Sequence, residues 1–387
     1  PKDSVVRLHI LPKNQGVGGR TREVVLVRDE IKLEDKAAKS EVIEAAGGVR
    51  LGVIEIPAFY RDFGAQAAGD EDFRSTTRDV RTLLDDLQAQ KVDGIIIDLR
   101  RNGGGSLSEA TELTGLFIEK GPVVQVKDSS GRIEVERDPD PEQVYAGPLA
   151  VLVDRNSASA SEIFAGAIQD YNRGLILGEP TFGKGTVQTL VDLGRFLRSR
   201  EDIGRLRLTM AQFFRVQGGS TQHRGVTPDI VYPTAKGAAD HGERALENAL
   251  PWASIRPAAH QLLGETPVSG LRDASKRRIA GNEGFRFLLE EEEDLIELDK
   301  RTTVSLRESV RRAEWDEREK DRLDRRNRLR AFRDLPPLAS LDEEDDDEAS
   351  AEDEKDLEGI QRIMLEESAN ILAEQILSMR PRTALVN

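Results

Sequence analysis

Short apolar runs at Gly52–Ile56, Gly94–Asp98, Leu149–Asp154 and Leu175–Leu177 alternate with stretches of helical period at Ser75–Gln90, Ser108–Phe117 and Ser161–Asp170. No other feature narrows the fold as much. Strand then helix, repeated, predicts an α/β core with a mixed, partly parallel sheet. In an open sheet of this kind the crevice lies beyond the carboxyl ends of the strands, so reactive side chains are expected on the loops there.

One such loop opens the stretch Asn156–Gln188, NSASASEIFAGAIQDYNRGLILGEPTFGKGTVQ. Ser159 has Ala158 and Ala160 beside it and falls on the turn between a strand and a helix. Small neighbours are what a nucleophile on a sharp elbow requires. The N–H of Ala160 would leave the same turn at a helix start, where the dipole favours an anion, and so supply half of an oxyanion hole. The plainer reading is that Ser159 and Glu162 form a capping box. Ser157 and Ser161, placed almost symmetrically, stay open as nucleophiles on these grounds.

Lys184 sits between Gly183 and Gly185, a poor setting for a helix-surface lysine. A lysine acts as a base only when neutral, which burial beside groups such as Phe182 and Val187 would favour. Otherwise it is a solvated lysine in a glycine loop. Residues 95–105, IIIDLRRNGGG, read as a strand, a polar turn and three glycines able to turn N–H groups toward an anion, although a glycine triplet alone is an ordinary turn. Of the four histidines, His223 is the one whose segment could approach Ser159, making a Ser/His hydrolase with an aspartate the rival constellation. Its polar, glycine-containing turn reads as a solvated loop.

Taken together, and in this order, IIIDLRRNGGG, NSASASE and FGKGTVQ resemble the carboxyl-terminal processing or tail-specific proteases, peptidase family S41, and within it the large periplasmic type. Val6–Pro12 and Leu26–Asp35 look like the end of that type's PDZ module, and Gly52–Tyr60 like the first strand of its protease core. Phe213–Ile230 and Asn248–Ile255 look like the segments that close the core. The resemblance implies a Ser/Lys endopeptidase working through an acyl-enzyme, with Ser159 as nucleophile, Lys184 as general base, Gln188 orienting the lysine and Asp170 supporting the site. It places oxyanion donors at the N–H of Ala160 and of Gly105 or Gly104. It implies no cofactor or metal, a periplasmic location, and unfolded or tail-exposed substrates such as envelope proteins with apolar carboxyl-terminal tails. A lipoprotein adaptor is compatible with it. The alternative is a non-catalytic or PDZ-gated scaffold that binds unfolded tails without cutting them.

Composition excludes some classes. A formal net charge of −15 over 387 residues opposes nucleic acid binding, which wants a positive field. No apolar run of about 18 residues offers a membrane span, leaving peripheral association at most. Cysteine is absent, and with it disulfides and thiol catalysis. The expected organisation is a PDZ remnant and linker at 1–35, a Ser/Lys protease core at 36–255 and a charged α-helical C-terminal domain at 256–387. Within the last, residues 271–333 suit long amphipathic helices. Asp342–Asp356 reads as a solvated acidic linker, and Leu357–Met379 as a final helix that docks on the core or, alternatively, on a partner. The start of the chain lacks the pattern of a signal peptide and reads as the middle of a domain, so upstream parts are expected to carry the signal, a helical domain and most of the PDZ.

Overall fold

The computed structural model describes residues 2–11, 20–29, 37–140, 142–194, 203–233, 241–264, 267–341 and 346–380. Its strands are β1 (Val5–Ile10), β2 (Arg22–Val27), β3 (Lys39–Ala45), β4 (Val49–Glu55), β5 (Gly94–Asp98), β6 (Pro122–Asp128), β7 (Ile133–Arg137), β8 (Leu149–Val153), β9 (Leu175–Gly178), β10 (Thr186–Asp192), β11 (Arg205–Phe214) and β12 (Ile230–Val231). Its helices are α1 (Phe63–Ala67), α2 (Thr76–Ala89), α3 (Leu107–Gly115), α4 (Ala160–Asp170), α5 (Val268–Gly281), α6 (Glu283–Lys300), α7 (Glu308–Phe332) and α8 (Asp346–Met379).

The residues form two units, Pro1–Ala37 and Ala38–Asn387. In the first, β1 and β2 pair antiparallel from Val5 opposite Val27 to Ile10 opposite Arg22. The glycine turn at Gly16–Gly19 lies outside the described residues. Val5, Leu8, Ile10, Val25, Leu26 and Val27 are exposed.

The second unit is built on a six-stranded sheet of order β12-β9-β8-β5-β4-β3, parallel throughout except for β3, which runs antiparallel to β4. Strands β4, β5, β8, β9 and β12 are added in one direction. The crossovers between these parallel strands place α2, α3 and α4 on one face. Ile95, Ile97, Leu149, Val151, Val153 and Ile176 pack against those helices, while Ile96, Ala150, Leu152, Leu175 and Leu177 point the other way. Both faces are buried, which is why the sequence reads as continuous apolar runs. A second, antiparallel sheet of order β10-β11-β6-β7 adds the strands that follow Lys184.

Helices after residue 255 close the face that α2, α3 and α4 leave open. Ile371, Leu372 and Ala373 of α8 are fully buried, and with Leu271 of α5, Phe285 and Leu288 of α6 and Leu329 of α7 they share one apolar cluster with the sheet. The last helix therefore docks on the sheet. The acidic run differs from the expected linker. Residues 342–345 lie outside the described residues, but from Asp346 the run is the first part of α8. Asp356 is buried, accepting from Arg330 Nη1 at 2.8 Å and also paired with Arg326. Negative charge at a helix start favours the dipole, and alanine, glutamate and lysine are good helix formers, so arginines from α7 turn a solvated-looking segment into structure.

Candidate active site

Ser159 lies between β8 and α4 at φ 57° and ψ −109°, immediately before the first helical residue, Ala160. This left-handed backbone is strained for a serine and lifts it out of the line of the helix. Its two serine neighbours differ from it. Ser157 is fully buried and donates from Oγ to the Leu99 carbonyl at 2.8 Å; Ser161 is fully buried and donates to the Asn102 carbonyl at 2.8 Å. Ser159 is half-buried. The flanking hydroxyls are thus spent in tying the serine turn to the loop after β5.

That loop is held by a residue that sequence reading passed over. Asn102, fully buried, donates from Nδ2 to the Ile56 carbonyl at 2.8 Å and accepts the Gly104 N–H on Oδ1 at 2.9 Å. Its own carbonyl accepts the Ala158 N–H at 3.0 Å. Gly104 has φ 101°, and a Cβ on it would lie 2.7 Å from the Ala158 carbonyl oxygen and 2.8 Å from Ser159 Cβ. Only glycine fits so close to the serine. Gly105 has φ 150°, and a Cβ there would overlap the Phe59 carbonyl. Gly104 N–H is therefore committed to Asn102, whereas no hydrogen bond is recorded for Gly105 N–H among the described residues.

Lys184 follows β9 and immediately precedes Gly185 and β10. It is half-buried, between half-buried Phe182 and buried Gly185. Its recorded hydrogen bonds are those of its backbone: the N–H to Glu162 Oε2 at 3.0 Å, and the carbonyl from Thr221 Oγ1 at 3.1 Å. The lysine loop is fixed to its surroundings by Phe182 N–H to the Ser157 carbonyl at 3.0 Å and Gly185 N–H to Gln222 Oε1 at 2.8 Å.

Glu162 joins the serine turn to the lysine loop. Fully buried in the first turn of α4, it accepts Ser159 N–H on Oε2 at 2.7 Å, the same oxygen that takes Lys184 N–H. Its Oε1 takes Gly183 N–H at 2.7 Å and Thr181 Oγ1 at 2.6 Å. Of the capping box predicted from S-x-x-E, the glutamate half forms, while the Ser159 side chain makes no cap hydrogen bond, and the carboxylate also reaches a loop some twenty residues on. Burial pushes the Glu162 carboxyl up to about 7, against the pull of its four donors.

Two other expected residues sit elsewhere. Asp170, fully buried at the far end of α4, accepts Arg215 Nε at 3.1 Å and Gln217 N–H at 3.1 Å. It braces the segment after β11 and has no recorded bond to Ser159 or Lys184. Gln188 is exposed on β10, just past a register shift between Val187 and Gln188 in the pairing with β11. His223, read as solvated, is instead half-buried: its backbone N–H donates to the Gly183 carbonyl at 2.8 Å and folds the turn against the lysine loop, and its buried Nε2 has no hydrogen-bond partner among the described residues. It is not hydrogen-bonded to Ser159. Among the described residues no cluster of potential metal ligands occurs, and no helix is long and apolar enough to cross a membrane.

Residues 50–232 match peptidase family S41, and residues 237–377 match the C-terminal domain of tail specific protease. The chain is 42% identical over 328 residues, 83% of its length, to a tail-specific protease of Haemophilus influenzae, of which it covers 45%. It is 35% identical over 210 residues, 54% of its length, to a carboxy-terminal-processing protease of Bartonella bacilliformis, of which it covers 43%. It thus spans somewhat less than half of the relatives it matches. Among solved structures, a photosystem II D1 C-terminal processing protease is 29% identical with a TM-score of 0.44, covering 59% of this chain and 56% of that one. With these two family matches spanning most of the chain and 42% identity over 83% of it, the chain belongs to peptidase family S41.

Proposed function

We propose that the chain is the catalytic part of a serine endopeptidase that hydrolyses unfolded or tail-exposed polypeptides through a Ser159/Lys184 dyad. The observation that carries the reading is the convergence of Ser159 N–H and Lys184 N–H on one buried carboxylate oxygen of Glu162. A shared anchor keeps the two backbones side by side, so their side chains can meet over a substrate carbonyl.

Neutral Lys184 takes the proton of Ser159 Oγ as that oxygen attacks the scissile carbonyl. The negative charge that develops on the carbonyl oxygen is held by Ala160 N–H, which has no partner within its own helix, and by Gly105 N–H. The choice of Gly105 over Gly104 rests on the Gly104 N–H being engaged by Asn102. The lysine ammonium then gives its proton to the leaving amine, and an ester remains on Ser159. Water, deprotonated by Lys184, cleaves the ester and releases the new carboxyl terminus. Asp170 supports the site through Arg215 and Gln217. Gln188 would have to swing toward the lysine to orient it.

The names of the relatives, tail-specific and carboxy-terminal-processing, favour substrates presented by their carboxyl-terminal tails, and envelope proteins with apolar tails in the periplasm are the class we propose. The β1–β2 pair is then the end of a PDZ module, and an adaptor lipoprotein is a fitting partner. The test is degradation of an unfolded protein with an apolar carboxyl-terminal tail by the parent chain and by folded Ser159→Ala and Lys184→Ala variants. Cleavage by the parent alone supports the dyad. Tail binding by all three without cleavage would instead make the chain a binding scaffold.

A further inference from the structure

The sequence carries the pattern S-x-x-E twice beside this site, as Ser159-Ala160-Ser161-Glu162 and as Ser106-Leu107-Ser108-Glu109. In both, the serine precedes a helix and the glutamate is fully buried. Glu162 ties the serine turn to the lysine loop. Glu109 stands at the equivalent place after the glycine loop.

Glu109 also reaches beyond its own helix. Its Oε2 accepts Thr77 N–H and Thr77 Oγ1, each at 2.8 Å, and Ser75 Oγ at 3.0 Å, at the start of α2. Its Oε1 accepts Arg61 Nη1 at 3.1 Å. Arg61, with only 10% of its side chain exposed, also donates to Glu112 at 2.7 Å and to Ser108 Oγ at 3.3 Å.

Arg61 lies two residues after Phe59, and Phe59 grips the glycine loop directly. Phe59 N–H donates to the Gly104 carbonyl at 3.0 Å, and the Phe59 carbonyl accepts Ser106 N–H at 2.9 Å. The Gly104–Gly105 peptide is planar and trans, so a carbonyl held toward Phe59 turns the Gly105 N–H the opposite way. Segments 59–61 and 104–109 are thus joined at one end by backbone hydrogen bonds around this peptide, and at the other by the Arg61–Glu109 ion pair. The closed ring leaves the peptide little freedom to rotate.

We propose that Arg61 and Glu109 are a positioning pair that fixes the direction of the Gly105 N–H, doing for the glycine loop what Glu162 does for Ser159 and Lys184. The inference rests on the reading of Gly105 as an oxyanion donor. Neither residue touches substrate; each acts through the Gly104–Gly105 peptide. Misdirecting one donor weakens stabilisation of the transition state and leaves substrate binding almost unchanged.

The experiment compares Arg61→Gln, Arg61→Lys, Glu109→Gln and the Arg61→Gln/Glu109→Gln double variant of the full chain. It measures kcat and KM on an unfolded polypeptide, melting temperature, and hydrogen exchange of the segments 99–107 and 159–170. Arg61→Gln and Glu109→Gln should each lower kcat about tenfold or more, with KM within about twofold. The double variant should fall no further than the worse single one, because both open the same ring. Arg61→Lys, which keeps the charge and loses the fork, should recover part of kcat. Exchange should quicken in 99–107 and stay unchanged in 159–170. Unchanged kcat, a rise in KM alone, additive losses, or losses that track a fall in melting temperature with exchange quickened throughout would overturn the proposal. The exchange readout does not need proteolysis. Local quickening in a chain that cleaves nothing would refute the protease reading while leaving the ring intact; cleavage with unaltered exchange and kcat would refute the positioning pair alone.

Discussion

The backbone N–H groups of Ser159 and Lys184 end on the same atom, Oε2 of Glu162, at 2.7 and 3.0 Å. Residues 25 positions apart in sequence are thereby held as neighbours by a carboxylate with no access to water. Glu162 has no ion-pair partner among the described residues, and its charge is balanced by four hydrogen-bond donors.

This makes the site sensitive to pH near neutrality. Burial raises the Glu162 carboxyl from 4.5 to about 7, so the folded chain holds that proton more tightly than the unfolded one. Its contribution to stability is therefore present at pH below about 4.5 and lost as pH rises through about 7. Activity should move the other way, because a protonated carboxyl loses an acceptor needed by four donors. On acidification from pH 8 to pH 6, kcat should fall while this group makes the fold more stable. In Glu162→Gln, which has one acceptor oxygen at every pH, kcat should be about tenfold or more below the parent at pH 8, and the step near pH 7 should vanish. A pH–rate profile alongside melting curves reads both; a parent profile unchanged by Glu162→Gln would count against the role.

The three serines should separate cleanly. Ser159→Ala should reduce proteolysis to background with a normal fold. Ser157→Ala and Ser161→Ala each delete a buried hydrogen bond to a backbone carbonyl, and should cost about 1–3 kcal/mol in urea unfolding while keeping measurable turnover. Full activity in Ser159→Ala would move the nucleophile elsewhere.

Gly104→Ala and Gly105→Ala should both inactivate the chain by displacing the loop, since one Cβ would press on Ala158 and Ser159 and the other on the Phe59 carbonyl. Loss of kcat by at least about a hundredfold is expected, the scale of removing an oxyanion donor. Gly103→Ala, with open space around its Cβ, is the control and should be nearly silent.

Asp170→Ala should act through stability. It leaves Arg215, half-buried, without its carboxylate and frees the Gln217 N–H, a loss of roughly 3 kcal/mol. Chemical denaturation should show a lowered midpoint, with activity falling in step as the chain unfolds. Undiminished stability together with complete loss of turnover would place Asp170 closer to the chemistry.

The C-terminal helices should be inseparable from the sheet they cover. Leu372→Ala in α8 removes a fully buried side chain from the cluster shared with Ile96 and Leu152, and should cost about 2–5 kcal/mol. Calorimetry should show one lowered transition for the second unit. Separate transitions for sheet and helices, only one of them shifted, would contradict the shared core.

The parallel strands and the serine turn were legible because their signals are local: β5 and β8 are buried on both faces and read as unbroken apolar runs, and Ser159 stands between two alanines. What escaped depends on closure across the chain. The pattern at Ser159 announces a helix cap, but nothing in it says that Glu162 also collects Thr181, Gly183 and Lys184. The choice between Gly104 and Gly105 turns on the side chain of Asn102, which sequence presents as one polar residue before a glycine run. The acidic run looked solvated because the arginines that pair with Asp356 lie about thirty residues upstream, on another helix. Gln188 matched a family position by count, yet its exposure follows from β10 and the bulge at Val187, which spacing does not reveal.

The Ser159/Lys184 dyad is tested most directly by a single-turnover reaction with an unfolded substrate, quenched in acid and mapped by mass spectrometry. A substrate fragment should be joined as an ester to Ser159 in the parent chain, with no such adduct in Lys184→Ala. Cleavage without that adduct, an adduct on Ser157 or Ser161, or parent-like acylation in Lys184→Ala would contradict it.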